Sequence, residues 1–80
     1  MFKFWEDIPE GVVILGADLS INSSGVTIVN NKGVQYMGVY HLNRGKVSGD
    51  FELLNRLANW LYLKMIEYNV TDVILEDIFQ

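Results

Sequence analysis

Eighty residues allow one domain at most, and half of them are hydrophobic, with four Tyr, four Phe, two Trp and a single Pro, a globular rather than a disordered composition. The absence of cysteine excludes a disulfide framework and any thiolate metal site, and one histidine, His41, cannot build a zinc site alone. Ten acidic residues against six basic give a formal charge of −4, which runs against a nucleic-acid binder, since these usually carry a basic surplus.

Residues 1–10, "MFKFWEDIPE", form an N-terminal extension to a domain spanning 11–80. Glu6, Asp7 and Glu10 spoil the charged-then-apolar layout of a secretory signal, and no apolar run is long enough to span a membrane. A cytoplasmic protein with no membrane attachment is the default reading. "VVILGAD", residues 12–18, predicts a buried strand that ends on a carboxylate, Asp18. "LSINSS" predicts a turn, after which Gly25 opens a second strand, "GVTIVN". "NNKG" at 30–33 is hairpin punctuation, because Asn and Gly tolerate positive φ. "VQYMGVYHL" predicts a third strand, its alternation placing Val34, Tyr36, Gly38 and Tyr40 on one side and Gln35, Met37, Val39 and His41 on the other.

"NRGKVSGD" is the loop richest in positive charge, and Arg44 and Lys46 are its candidates for phosphate contacts. Ser48 or Asp50 is expected to cap a helix running from Phe51 to about Tyr68. Phe51, Leu54, Leu57 or Ala58, Leu61, Met65 and Tyr68 recur at helical spacing, the stripe expected to lie on a sheet. Leu53, Trp60 and Leu63 fall off that stripe and call for a second partner, either "MFKFW", a further helix or another copy of the chain. Asn69 suits the left-handed residue that ends a helix. "TDVILEDIF" predicts a fourth strand carrying Glu76 and Asp77 near its end.

Strand, strand, strand, helix, strand is the order of an α/β protein. Three meander strands followed by a helical crossover predict a mixed sheet in which the fourth strand returns parallel to the first. The C-terminal ends of those two strands then lie together, with Asp18 on one and Glu76 on the other. Two carboxylates brought close repel unless one takes a proton or a cation sits between them. Hard oxygen ligands suit Mg²⁺ or Mn²⁺, and such sites serve phosphodiester hydrolysis. Asp77 points to the face opposite Glu76 and is the weaker candidate.

"ILGADLSINSSGVTIVN" resembles the first motif of the RuvC-like Holliday-junction resolvases, in the ribonuclease H-like superfamily: a strand ending Gly-x-Asp, a short Ser/Gly/Asn turn, and a strand opening at Gly. Phage-borne members tend to read Asp-Leu-Ser there, which Asp18-Leu19-Ser20 reproduces. "DVILEDIF" is similar to the second motif, an apolar strand delivering a glutamate. The resemblance implies a ribonuclease H-like sheet and a metal-dependent endodeoxyribonuclease of recombination and repair that acts on branched DNA. It implies that Asp18 and Glu76 are catalytic metal ligands, and that Ser20, Asn22, Ser23, Ser24 and Gly25 form a turn close to the metal and the substrate backbone.

The family's pattern continues past its second motif with further helices, a fifth strand and one or two more acidic residues, whereas this sequence stops at Gln80. The expectation is a partial domain, the first half of the fold, which is a weak catalyst by itself and which self-associates, as a dimer, through the helix 51–68. Two other readings stay open. One is a non-catalytic ribonuclease H-like binding scaffold. The other is half of an actin-like or sugar-kinase-like nucleotide-binding domain, whose first hairpin also reads Gly-x-Asp but continues into a loop richer in Gly and Thr.

Overall fold

The computed structural model describes residues 3–19, 23–41 and 49–75. A short 3-10 helix, Phe4–Asp7, leads into β1 (Ile14–Asp18), β2 (Ser23–Asn30), β3 (Gly33–His41), α1 (Asp50–Glu67) and β4 (Asp72–Leu75). The four strands form one mixed sheet in the order β3-β2-β1-β4. Antiparallel pairing joins β1 to β2 and β2 to β3, and β4 lies parallel to β1, as the helical crossover requires. The described residues thus form an α/β unit with one α-helix against one mixed sheet.

The β2–β3 hairpin turns at Asn31 and Lys32. The Lys32 amide donates to Asn30 Oδ1 at 2.9 Å, and the positive φ falls on Gly33 at 122°. Register then passes from Val29↔Val34 to Ile28↔Tyr36, leaving Gln35 unmatched. This irregularity corrects the face assignment of β3: Val34 lies across from Val29, on the other side from Tyr36, Gly38 and Tyr40. The Gln35 side-chain amide donates to Asn30 Oδ1 and to the Gly33 carbonyl, 3.2 and 3.3 Å away. Trp5 covers this end of the hairpin, its indole 3.7 Å from where a Gly33 Cβ would stand.

Helix α1 carries no Gly or Pro in its interior, and Asp50 and Glu52 in its first turn and Lys64 in its last complement the helix dipole. Its N-cap is Gly49, so Asp50 is the first helical residue rather than the cap, and Ser48 lies outside the described residues. At the other end Asn69 takes φ 55°, its amide bonds Ile66 O, and the Val70 amide reaches Met65 O at 2.9 Å. These two bonds close a Schellman motif on the expected residue.

The face that α1 buries keeps the expected Leu57, Leu61, Met65 and Tyr68 and departs from the expected stripe in the first turns and at Trp60. Leu53 and Leu57 are buried, and Trp60, Leu61, Met65 and Tyr68 pack against the sheet. Phe51 and Leu54 are instead 85% and 63% exposed. Of the three residues assigned from the sequence to a second partner, Trp60 packs against the sheet core, Leu53 is buried, and Leu63 is exposed. The reason lies in β3, where Tyr40 meets Trp60 at 5.1 Å between ring centroids and Tyr36 meets Tyr68 at 5.6 Å. Lys64 lays its ammonium 4.4 Å from the centre of the Tyr36 ring. Aromatic partners on the sheet thus draw in Tyr68 from the expected stripe and Trp60 from the other.

The core is the covered face: Leu15 and Ala17 from β1, Val26 and Ile28 from β2. Each such side chain contributes about 1.5–3 kcal/mol when fully buried, Ala17 less. Ser24 is the buried polar residue on this face, opposite Tyr40. Among the described residues α1 packs on this face and leaves the other face of the sheet without an α-helix.

Candidate functional site

Asp18 ends β1 and is exposed. Its neighbours explain its direction. Ala17 is buried on the covered face and Leu19 packs against the same core, so alternation turns Asp18 to the open face. Across the ladder it pairs with Gly25, and Gly16 pairs with Thr27. A Cβ on Gly25 would meet nothing within 4 Å, and one on Gly16 would only graze the Thr27 carbonyl at 4.0 Å. These glycines are not demanded by crowding inside the chain. They leave the backbone bare beside Asp18.

The open face is a shallow concavity of ≈ 530 Å³, with Gly16, Gly25 and Thr27 in its floor and Met37, Val39 and Ile74 around it. Asp18 is its charged member. Sequence reasoning missed this hollow. The signal was available in Gly16 and Gly25, but only the register shows that Asp18 and Gly25 stand side by side.

The sequence-predicted residues divide into those the structure describes and those it does not. Ser23 and Ser24, expected in a turn, are the first two residues of β2, and Gly25, expected to open that strand, is its third. Ser24 is fully buried and faces the helix side, away from Asp18, while Gly25 adjoins it. Ser23 is partly buried and pairs with His41, which ends β3 in an exposed position. Ser20, Asn22, Arg44, Lys46, Glu76 and Asp77 lie outside the described residues. The β1–β4 register runs from Ile14↔Asp72 to Ala17↔Leu75. Among the described residues no three His, Asp or Glu side chains gather into a group able to hold a metal. No helix among them is long and apolar enough to cross a membrane.

No family model, curated protein or solved structure matches the chain.

Proposed function

We propose that the chain supplies two carboxylate ligands, Asp18 and Glu76, to a divalent-metal-dependent endodeoxyribonuclease of the RuvC-like, ribonuclease H-like kind that acts on branched DNA. The observation that carries this reading is the parallel pairing of β1 with β4, in register up to Ala17↔Leu75. Asp18 follows Ala17 as the last residue of β1, and in the sequence Glu76 follows Leu75. In open α/β sheets ligands gather at the carboxyl ends of parallel strands.

The donor set fits the proposed ion, since two carboxylates are hard oxygen ligands of the kind Mg²⁺ and Mn²⁺ take. A bound divalent ion would supply Lewis-acid activation of water and charge stabilisation for phosphodiester hydrolysis. The chain's own contributions are the Asp18 carboxylate, exposed at a rigid strand end, and the uncovered backbone at Gly16 and Gly25, where a phosphate can come close. The acidic balance of this chain leaves most phosphate contacts to Arg44 and Lys46, or to protein outside these 80 residues.

Mn²⁺ binding, followed by loss of the free-ion paramagnetic resonance signal, tests the reading. The unaltered chain is expected to bind, and Asp18→Asn and Glu76→Gln each to weaken binding at least tenfold. Cleavage of a four-way junction in Mn²⁺, slow in the unaltered chain, is expected to vanish in Asp18→Asn. Equal Mn²⁺ binding in all three proteins would sink the proposal.

A further inference from the structure

β3 is one of the two edges of the sheet, and among the described residues no strand pairs with its outer side. Alternate amides and carbonyls along it point away from β2, a ready template for a further strand. Edge strands are usually blunted by a charge, a proline, a bulge or a cover. On β3 that protection stops early: Trp5 stands over Gly33, and the irregularity falls at Gln35. From Tyr36 to His41 the edge has no Asp, Glu, Lys, Arg or Pro. The opposite edge, β4, differs. It is four residues long and opens on Asp72. It is also tied to β1 just ahead of the first ladder pair, where the Val13 amide donates to Thr71 Oγ1 at 2.9 Å.

The residues of the bare edge are arranged symmetrically. Gln35-Tyr36-Met37-Gly38-Val39-Tyr40-His41 reads, from either end, polar, tyrosine, apolar, glycine. Set antiparallel to a second copy about Gly38, the strand places Met37 opposite Val39 of that copy and Tyr36 opposite its Tyr40. Met37 and Val39 are 71% and 57% exposed on the open face. Tyr36 and Tyr40 stay partly exposed on the other face after packing on α1. Apolar and aromatic residues directly opposite each other are favourable pairs in an antiparallel ladder. A twofold interface needs such self-complementarity, and it closes after two copies. Charge points to the same strand. The chain carries a formal −4, so two copies repel overall, and an uncharged edge is where they approach with least opposition.

We infer that β3 is a self-docking edge: two copies of the chain pair antiparallel through Tyr36–Tyr40 about Gly38, joining their two sheets into one. The core of each copy, Leu15, Ala17, Val26 and Ile28, lies away from the shared edge, so the dimer separates on dilution into folded monomers. This pairing goes beyond the proposed metal site and does not rest on it. It moves the expected self-association from the helix 51–68 to the sheet.

Sedimentation equilibrium over a series of concentrations tests the pairing. The unaltered chain is expected to pass from monomer to dimer and no further. Met37→Lys and Val39→Glu, both at exposed positions, are each expected to raise the dissociation constant at least tenfold. Mixed together, the two variants are expected to recover dimers, because the new lysine of one copy then faces the new glutamate of the other. Leu63→Glu, at an exposed position of α1, is expected to leave the dimer intact. Should a variant not fold, hydrogen exchange in the unaltered chain decides. Alternate amides from Tyr36 to Tyr40 that slow as concentration rises support the pairing, and rates indifferent to concentration refute it. A chain monomeric throughout, assembly that grows past the dimer, or a mixture that fails to recover would each overturn the inference. So would dimers lost in Leu63→Glu but kept in Met37→Lys.

Discussion

On the side of the sheet beneath α1, Leu15, Val26 and Ile28 are at most 2% exposed, whereas on the other side Met37 is 71% and Ile74 60% exposed. Both sides are built from the same alternating strands, and both carry large apolar residues. Hydrophobicity along a strand therefore does not say which face is the core. The helix decides, by covering one face and leaving the other to hold Asp18, two glycines and a shallow hollow. One face stores the stability of the fold, and the other stands open.

Pairing a substitution from each face tests this division most severely. Ile28→Ala is expected to cost about 2–5 kcal/mol, enough to unfold much of so small a domain. Met37→Ala is expected to shift stability by no more than about 0.5 kcal/mol. Urea unfolding followed through tryptophan fluorescence measures both, and comparable losses would erase the distinction between the faces.

A smaller effect is expected where the covered face borders the β3 edge. A Cβ on Gly38 would stand about 2.7 Å from Tyr36 Cζ, because the Tyr36 ring lies across that glycine on its way to Trp60 and Tyr68. Gly38→Ala should cost roughly 1–3 kcal/mol through this overlap. Much of the loss should return when Tyr36→Leu is added, and thermal unfolding with near-ultraviolet circular dichroism reads both changes. Without that recovery, the ring is not the cause.

Neither face is concerned in a further, smaller loss. Asn69 holds φ 55°, a conformation that costs an ordinary L-residue about 1–2 kcal/mol. Asn69→Ala should therefore lower stability by about 1 kcal/mol and Asn69→Gly should leave it level or slightly raised. A larger melting-temperature loss for glycine than for alanine would contradict the capping role.

The order of elements and the parallel return of β4 are legible in the residues, because period-two and helical runs are separated by plain turn signals at Asn31–Gly33 and Asn69. The buried face of α1 is legible at Leu57, Leu61, Met65 and Tyr68 but not in full, since Phe51 and Leu54 read as well as Leu53 and Trp60 until Tyr36 and Tyr40 are placed on the sheet. Val34 is misread for a related reason. An unmatched Gln35 reverses alternation, and a bulge leaves no mark in a run of otherwise good strand formers. At the site, Asp18 stands out by its chemistry alone, as a carboxylate closing an apolar run. The company it keeps on the sheet, Gly25 and Ile74, comes from register, which is a property of pairs of strands.

The bond between Val13 and Thr71 also has a history in time. It joins residues 58 apart in the chain, while the β2–β3 hairpin turns within two residues. Closing the longer loop costs roughly 3 kcal/mol more in chain entropy. The hairpin can form as soon as it leaves the ribosome, but β1 keeps one unpaired edge until the chain has been made past Asp72. An open edge invites any passing strand. The strand that carries Asp18 is thus the last to be sealed, and its late partner is also its protection against pairing with the wrong neighbour.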